Sequence, residues 1–306
     1  MNRSRPLALV ALVAGALALA GCSSSASGAS GASGEGKPGT IDVVASIDVW
    51  GSVAKAIGGD HVTVTSIIDD PDKDPHDYQA NARDQLAVSD ARVVIANGGG
   101  YDDFVTKMVK ASKRNPTVLS AASISGDGEH PSGDVNEHFW YDFPTVQKVA
   151  DRLAGAYAKA DTKDAADFRA NARAFDAKLA ALEATEAQLK TAHAGTAVTI
   201  TEPVPLYLLD AIGLRNVTPE KFSEAIENDT DVAPAVLKQT LDLYRGGRVK
   251  LLVYNAQTSG PQTQAVVDAA RKNGVAAVPV TETLPPGETY LEWMTANLDA
   301  IGKALS

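Results

Sequence analysis

From Ile41 onward, short apolar runs alternate with stretches whose apolar residues recur at helical spacing. Ile41–Ile47 reads as a strand and Asp48–Ile57 as a helix stopped by Gly58-Gly59. His61–Ile67 alternates as a second strand, and a helix is expected near Asn81–Val88. Arg92–Ala96 is apolar from Val93 on, the pattern of a parallel strand buried on both faces. Asn97-Gly98-Gly99-Gly100 turns into a helix over Tyr101–Ser112, and Thr117–Leu119 is a short fourth strand. Ser120–Glu137 is polar and acidic and reads as a loop. Two helices follow, at about Pro144–Lys159 and from Asp161 to about His193. In the second, Phe168, Ala172, Phe175, Leu179, Leu182 and Leu189 recur at steps of three, four or seven, with no Gly or Pro between them. A rod of that length spans about 50 Å, longer than one small lobe needs, so it predicts a spine joining two lobes. Its stripe is a packing face.

Beyond the spine the alternation resumes. Ala197–Ile200, Val249–Tyr254 and Val275–Val280 read as strands. Leu206–Ile212, Val232–Tyr244, Gln262–Asn273 and Thr289–Leu305 read as helices. The fold class is therefore α/β, two lobes with parallel sheets joined by the spine. The boundaries drawn are an N-terminal lobe at 41–143, connecting helices including the spine at 144–194, and a C-terminal lobe at 195–306.

The first residues are a separate object. Arg3 and Arg5 precede an apolar run, Pro6 to Ala20, which ends in Leu19-Ala20-Gly21-Cys22. A basic start, a short apolar core and small residues before the cut mark 1–21 as an export signal. Cys22 is the only cysteine of the 306 residues, so no disulfide can form within the chain. Leu-Ala-Gly-Cys resembles the bacterial lipobox, which implies that Cys22 is lipid-modified and becomes the first mature residue. Residues 22–40 are nearly all Ser, Gly and Ala, a flexible tether reaching roughly 23 Å. Removing Arg3 and Arg5 takes the formal charge from −10 to −12. That argues against nucleic acid, whose phosphates need a basic face, and is compatible with a cationic ligand. A hydrophobic fraction of 44% and a charged fraction of 22% are those of an ordinary globular protein with a core.

Candidate chemistry gathers at strand ends. Asp69 to Tyr78 follows the second strand and holds five aspartates and His76, stiffened by Pro71 and Pro75. Imidazole beside carboxylates suits a divalent cation. Asn136-Glu137-His138-Phe139-Trp140-Tyr141-Asp142 places a histidine among aromatics and acids; alone, it reads as a hydrogen-bonded histidine in an aromatic core. Glu202 follows one strand of the second lobe and Glu282 another. Ligands of open α/β sheets bind outside the carboxyl ends of the strands, so His76, His138, Glu202 and Glu282 can converge in a cleft between the lobes. The triple glycine lacks the Lys-Ser/Thr of a phosphate loop and reads as a tight turn.

The motifs Asp-Pro-His-Asp-Tyr, Asn-Glu-His-Phe-Trp-Tyr-Asp, Thr-Glu-Pro-Val and Thr-Glu-Thr-Leu-Pro-Pro-Gly, in that order, resemble the zinc/manganese-binding lipoproteins that feed metal ABC importers. The resemblance covers about residues 41–302 and implies two Rossmann-like lobes joined by one rigid helix. It implies a metal site made by His76, His138, Glu202 and Glu282 in the cleft, with one divalent ion (manganese or zinc, with iron also possible) as transported ligand. The third ligand is commonly His in zinc carriers and Glu in manganese carriers, which Glu202 resembles; the fourth is usually Asp, where this chain has Glu282. The long His-rich loop of some zinc carriers is missing; His130 reads as an ordinary surface residue, with a transient metal collector as the alternative, and His61 and His193 as surface or spine residues without a role. Two imidazoles and two carboxylates suit either metal, with carboxylate oxygen favouring manganese and the Irving–Williams order favouring zinc. The function implied is capture outside the cytoplasm by a monomer anchored to the outer face of the cell membrane, and delivery to an ABC permease. A metallohydrolase using the same ligands and a metal-stabilised adhesin are the alternatives. With ordinary pKa values, affinity would fall as pH drops below about 6.5 while both glutamates stay ionised.

Overall fold

The computed structural model describes residues 39–70, 78–126 and 135–306; Cys22, His76 and His130 lie outside them. In the first lobe β1 (Ile41–Ile47), α1 (Asp48–Gly58), β2 (Val62–Ile68), α2 (Ala82–Asp90) and β3 (Val93–Ala96) follow one another. α3 (Asp103–Ala111), β4 (Thr117–Ser120) and α4 (Ala121–Ser125) complete it. A 3-10 turn at Phe139–Tyr141 leads into α5 (Phe143–Ala160) and the spine, α6 (Ala165–His193). The second lobe runs β5 (Ala197–Ile200), α7 (Leu206–Ala211), β6 (Arg215–Asn216), α8 (Glu220–Glu227) and α9 (Pro234–Asp242). It closes with β7 (Leu251–Asn255), α10 (Pro261–Lys272), β8 (Ala276–Val280) and α11 (Tyr290–Leu305).

Each lobe is built on a four-stranded parallel sheet, ordered β2-β1-β3-β4 and β6-β5-β7-β8. The two orders are the same, and each reverses direction between its two central strands. That leaves a crevice beyond the carboxyl ends of β1 and β3, and another beyond β5 and β7. The apolar runs explain the sheets: Val93, Val94, Ile95 and Ala96 are all buried, as a central parallel strand requires. α1 lies close against β2 because Gly51 faces Ser66, where a Cβ would collide with the serine Oγ. α2 starts with a capping box in which Asn81 accepts from the Asp84 N–H and Asp84 accepts from the Asn81 N–H.

The spine is shorter than the 161–193 expected from sequence. Asp161 instead closes α5 in an extended conformation, its N–H donating to Tyr157 O, and α6 begins at Ala165. Its 29 residues still give a rod of about 44 Å. Phe168, Ala172, Phe175, Leu179 and Leu182 are buried along it, and one continuous core runs from the first sheet across the spine to β5, β7 and α11. His61 is half-exposed and ties the first lobe to the start of the spine. Its Nδ1 stands 2.8 Å from Asp164, its Nε2 3.5 Å from Asp167, and its ring meets Phe168 edge-on. Ser120–Glu137, expected to be loop, contains α4, capped by the Ser120 hydroxyl oxygen accepting from Ser123 N–H.

The stripe on α6 also contains an acid. Glu186, four residues beyond Leu182, is 7% exposed. Burial, with the charges of Glu183 and Asp142, pushes its carboxyl up to about 8. Below its ordinary value of 4.5 folded and unfolded chains both hold the proton. Above it only the unfolded chain ionises freely, so stability is lost as pH rises toward 8. Glu186→Gln should therefore unfold at the parent's urea concentration at pH 4.5 and at a higher one at pH 8 to 9. Equal midpoints at both pH values would mean the carboxyl ionises inside the fold without cost.

Candidate metal centre

The triple-glycine turn after β3 brings in the first side chain. Gly98, Gly99 and Gly100 all have positive φ, and a Cβ on Gly98 would meet the Ser120 Oγ. The N–H groups of Asn97 and Gly98 donate to the two Asp102 carboxylate oxygens at 2.6 and 2.8 Å, so the turn is held from within. It delivers Tyr101, fully enclosed, whose hydroxyl donates to Glu282 Oε2 in the other lobe at 3.0 Å. Asn97 also donates through Nδ2 to Glu137 O at 2.8 Å, which fixes the segment carrying His138.

His138 itself is wholly buried, its ring edge-on to Trp140 and Tyr101. Nδ1 lies 2.7 Å from Asn136 Oδ1. With that nitrogen as donor, the lone pair sits on Nε2, which then points to the carboxylates. Asn136 reaches the second lobe as well, donating through Nδ2 to Pro203 O at 3.1 Å, and its carbonyl accepts from the Tyr207 hydroxyl. One amide thus orients the imidazole and the Thr201-Glu202-Pro203 turn after β5.

Glu282 follows β8. Its Oε1 accepts from Asn255 Nδ2 at 2.8 Å, and its N–H donates to Gln257 Oε1 at 2.6 Å. Glu282 Oε2 stands 3.7 Å from His138 Nε2. Glu227, the last residue of α8, places Oε1 at the same 3.7 Å from that nitrogen. The structure therefore brings His138, Glu202 and Glu282 to one place, and adds Glu227. His76 lies outside the described residues, and His193 is far along the chain at the end of the spine.

Among the described residues, His138 Nε2 and Glu202 Oε2 are buried without hydrogen-bond partners. A buried carboxylate oxygen and a buried imidazole nitrogen left unmet are costly, and a divalent cation would satisfy both. The charges agree. Burial, then Glu227 and Glu282, push the Glu202 carboxyl up to about 8. Burial pulls the His138 imidazole down, but the Glu282 contact and the charges of Glu227, Glu282 and Glu137 outweigh it and raise it to about 9. The expectation of an ionised Glu202 near neutral pH is thereby corrected: without a cation, the buried Glu202 carboxyl, crowded by two other acids, favours its proton.

Glu227 and its helix were not read from the sequence. Phe222 and Ile226, both buried and four apart, were the available helical signal. The supports Tyr101, Asn136 and Asn255 carry no sequence pattern of their own; only the folded strand ends bring them together.

The model of the family ZnuA, zinc-uptake complex component A periplasmic, matches residues 43–304. The manganese ABC transporter substrate-binding lipoprotein ScaA of Streptococcus gordonii is 24% identical over 313 residues, covering 97% of this chain and 98% of its own. Among solved structures, a crystal structure of ZnuA aligns with a TM-score of 0.73 at 20% identity, over 87% of this chain and 100% of that one. The periplasmic zinc binding protein TroA from Treponema pallidum aligns with a TM-score of 0.73 at 17% identity, over 88% and 100%. These likenesses run through both lobes and the spine. The chain belongs to the ZnuA family of metal-binding transport proteins.

Proposed function

We propose that this chain captures one divalent transition-metal ion outside the cytoplasm and hands it to the membrane permease of an ABC importer. The observation that carries the reading is the pair of buried, unmet donor atoms on His138 and Glu202 amid carboxylates at the junction of the lobes. His138, Glu202 and Glu282 are proposed as ligands, with His76 as the fourth from the sequence motif. Manganese and zinc, and iron(II) after them, suit such a nitrogen and oxygen set. The relatives named for manganese and zinc support a metal as cargo, and capture without turnover is the reading adopted here. Elemental analysis of the chain purified without added metal, with calorimetric titration of Mn²⁺ and Zn²⁺, tests it: one ion per chain is expected, and no binding of either would end it.

Cys22 is proposed as the lipid anchor and 23–40 as the tether that holds the lobes near the membrane. Among the described residues no helix is long and apolar enough to cross a membrane. Cys22→Ser should leave the chain unprocessed or released on cell fractionation. A variant still cut after Gly21 and still in the membrane fraction would remove the anchor.

A further inference from the structure

The reading of the site as a metal trap leaves Glu227 without a task, and its placement asks for one. It ends α8, where the helix dipole makes the surroundings negative and disfavours a carboxylate. The chain leaves that helix through Asn228 and then Asp229 at φ 47, the only positive-φ residue other than glycine among those described. At that unfavourable spot the Glu227 side chain is only 17% exposed and points its Oε1 at His138 Nε2. Glu282 reaches the same nitrogen at the same distance. Glu227 and Glu282 are also the two carboxylates whose charge acts on Glu202. Two carboxylates therefore face one imidazole in a buried space, and both act on Glu202 beside them, a gathering of acids that a multivalent cation would hold together.

We propose that Glu227 is a further oxygen ligand of the captured ion, closing the site from the α8 side and biasing it toward Mn²⁺ over Zn²⁺. This rests on the proposed metal-capture function. Zinc is content with four ligands, whereas a harder ion that accepts more oxygen donors gains from a third carboxylate. A cation also reverses the sign of Glu227's environment, making the acid at the helix end favourable. The competing role, a counter-ion to protonated His138 in the metal-free chain, predicts the opposite result: removing Glu227 would then ease metal entry.

The test compares parent, Glu227→Gln and Glu282→Gln for Mn²⁺ and Zn²⁺ affinity by competition titration. Glutamine keeps the shape of the side chain, so the fold is kept. Glu227→Gln should weaken Mn²⁺ by more than the roughly 10- to 100-fold lost with an outer-shell partner and Zn²⁺ by less, lowering the Mn²⁺ to Zn²⁺ affinity ratio. A crystal structure of the Mn²⁺-loaded chain should place a Glu227 oxygen about 2.2 Å from the ion. Unchanged or tighter binding in Glu227→Gln, with Glu282→Gln impaired, would overturn the role of Glu227 and leave metal capture standing. A parent that binds neither ion would overturn both.

Discussion

Replacing His138 by alanine is expected to cost far more metal affinity than the roughly 10- to 100-fold lost when an outer-shell partner is removed. Its Nε2 is the nitrogen that Glu227 and Glu282 both face, and Asn136 fixes the ring so that this atom points inward. The fold should survive. Phe139, Trp140 and Tyr141, fully buried in the adjoining turn, hold the segment without the imidazole, and Tyr141 donates to Thr281 O across the lobes. The loss of stability should be about 1–3 kcal/mol, the cost of leaving buried polar partners unmet. Calorimetric titration with Mn²⁺ and Zn²⁺ measures the first quantity and urea unfolding of the metal-free chain the second. His61→Ala is the control: it cuts contacts to Asp164 and Asp167 at the spine, so metal affinity should be unchanged. Parent-like affinity in His138→Ala would remove this residue from the site.

The second large effect is on pH. With the His138 imidazole raised to about 9 and the Glu202 carboxyl to about 8, both hold protons at pH 7 in the metal-free chain. An incoming cation must displace both. Each proton displaced contributes a factor of ten per pH unit. Affinity should therefore fall about 100-fold per pH unit below pH 8, about tenfold between 8 and 9, and level off above 9. The direction follows from competition: acid favours the protonated, metal-free form. Titrations at pH 7 in buffers of different ionisation heat should report about two protons released per ion from these two groups. An affinity that is flat from pH 7 to 9 and drops only near 6.5 would show that His138 and Glu202 titrate as though exposed.

The sheets could be read in advance because their strands carry short apolar runs, such as Val93–Ala96 and Leu251–Val253, and the spine because its stripe runs unbroken for several turns. Elements defined by pairing or brevity could not. β6 is two residues, Arg215 and Asn216, whose polar side chains say nothing; it is a strand because its backbone pairs with Ala197 and Val198. α4 spans five residues, too few for a 3.6-residue period to register. Glu186 carries no mark of its burial in the sequence, because that burial exists only once the folded chain packs over its turn of the spine. At the site, residues just after strands could be found from topology, which is why Glu202 and Glu282 were candidates, while His138 stood out by the Asn-Glu-His-Phe-Trp-Tyr-Asp motif that closes a loop. Glu227 could not, because a helix end has no fixed relation to the sheet edge until the lobe is folded.

Several bonds bridge the lobes. Tyr101 bonds to Glu282, Asn136 to Pro203, and Leu284 N–H to Asp48, while Tyr290 donates to Ser52 through its N–H and to Trp140 O through its hydroxyl. Breaking even four of these five bonds costs about 4 kcal/mol, which leaves at most roughly one molecule in a thousand spontaneously parted. A frame latched in this way makes unassisted escape of a trapped ion slow. It also sets a minimum on what a docking partner must do. Any permease that empties the site must bind the parted form at least a thousandfold more tightly than the latched one, or draw the difference from a coupled reaction.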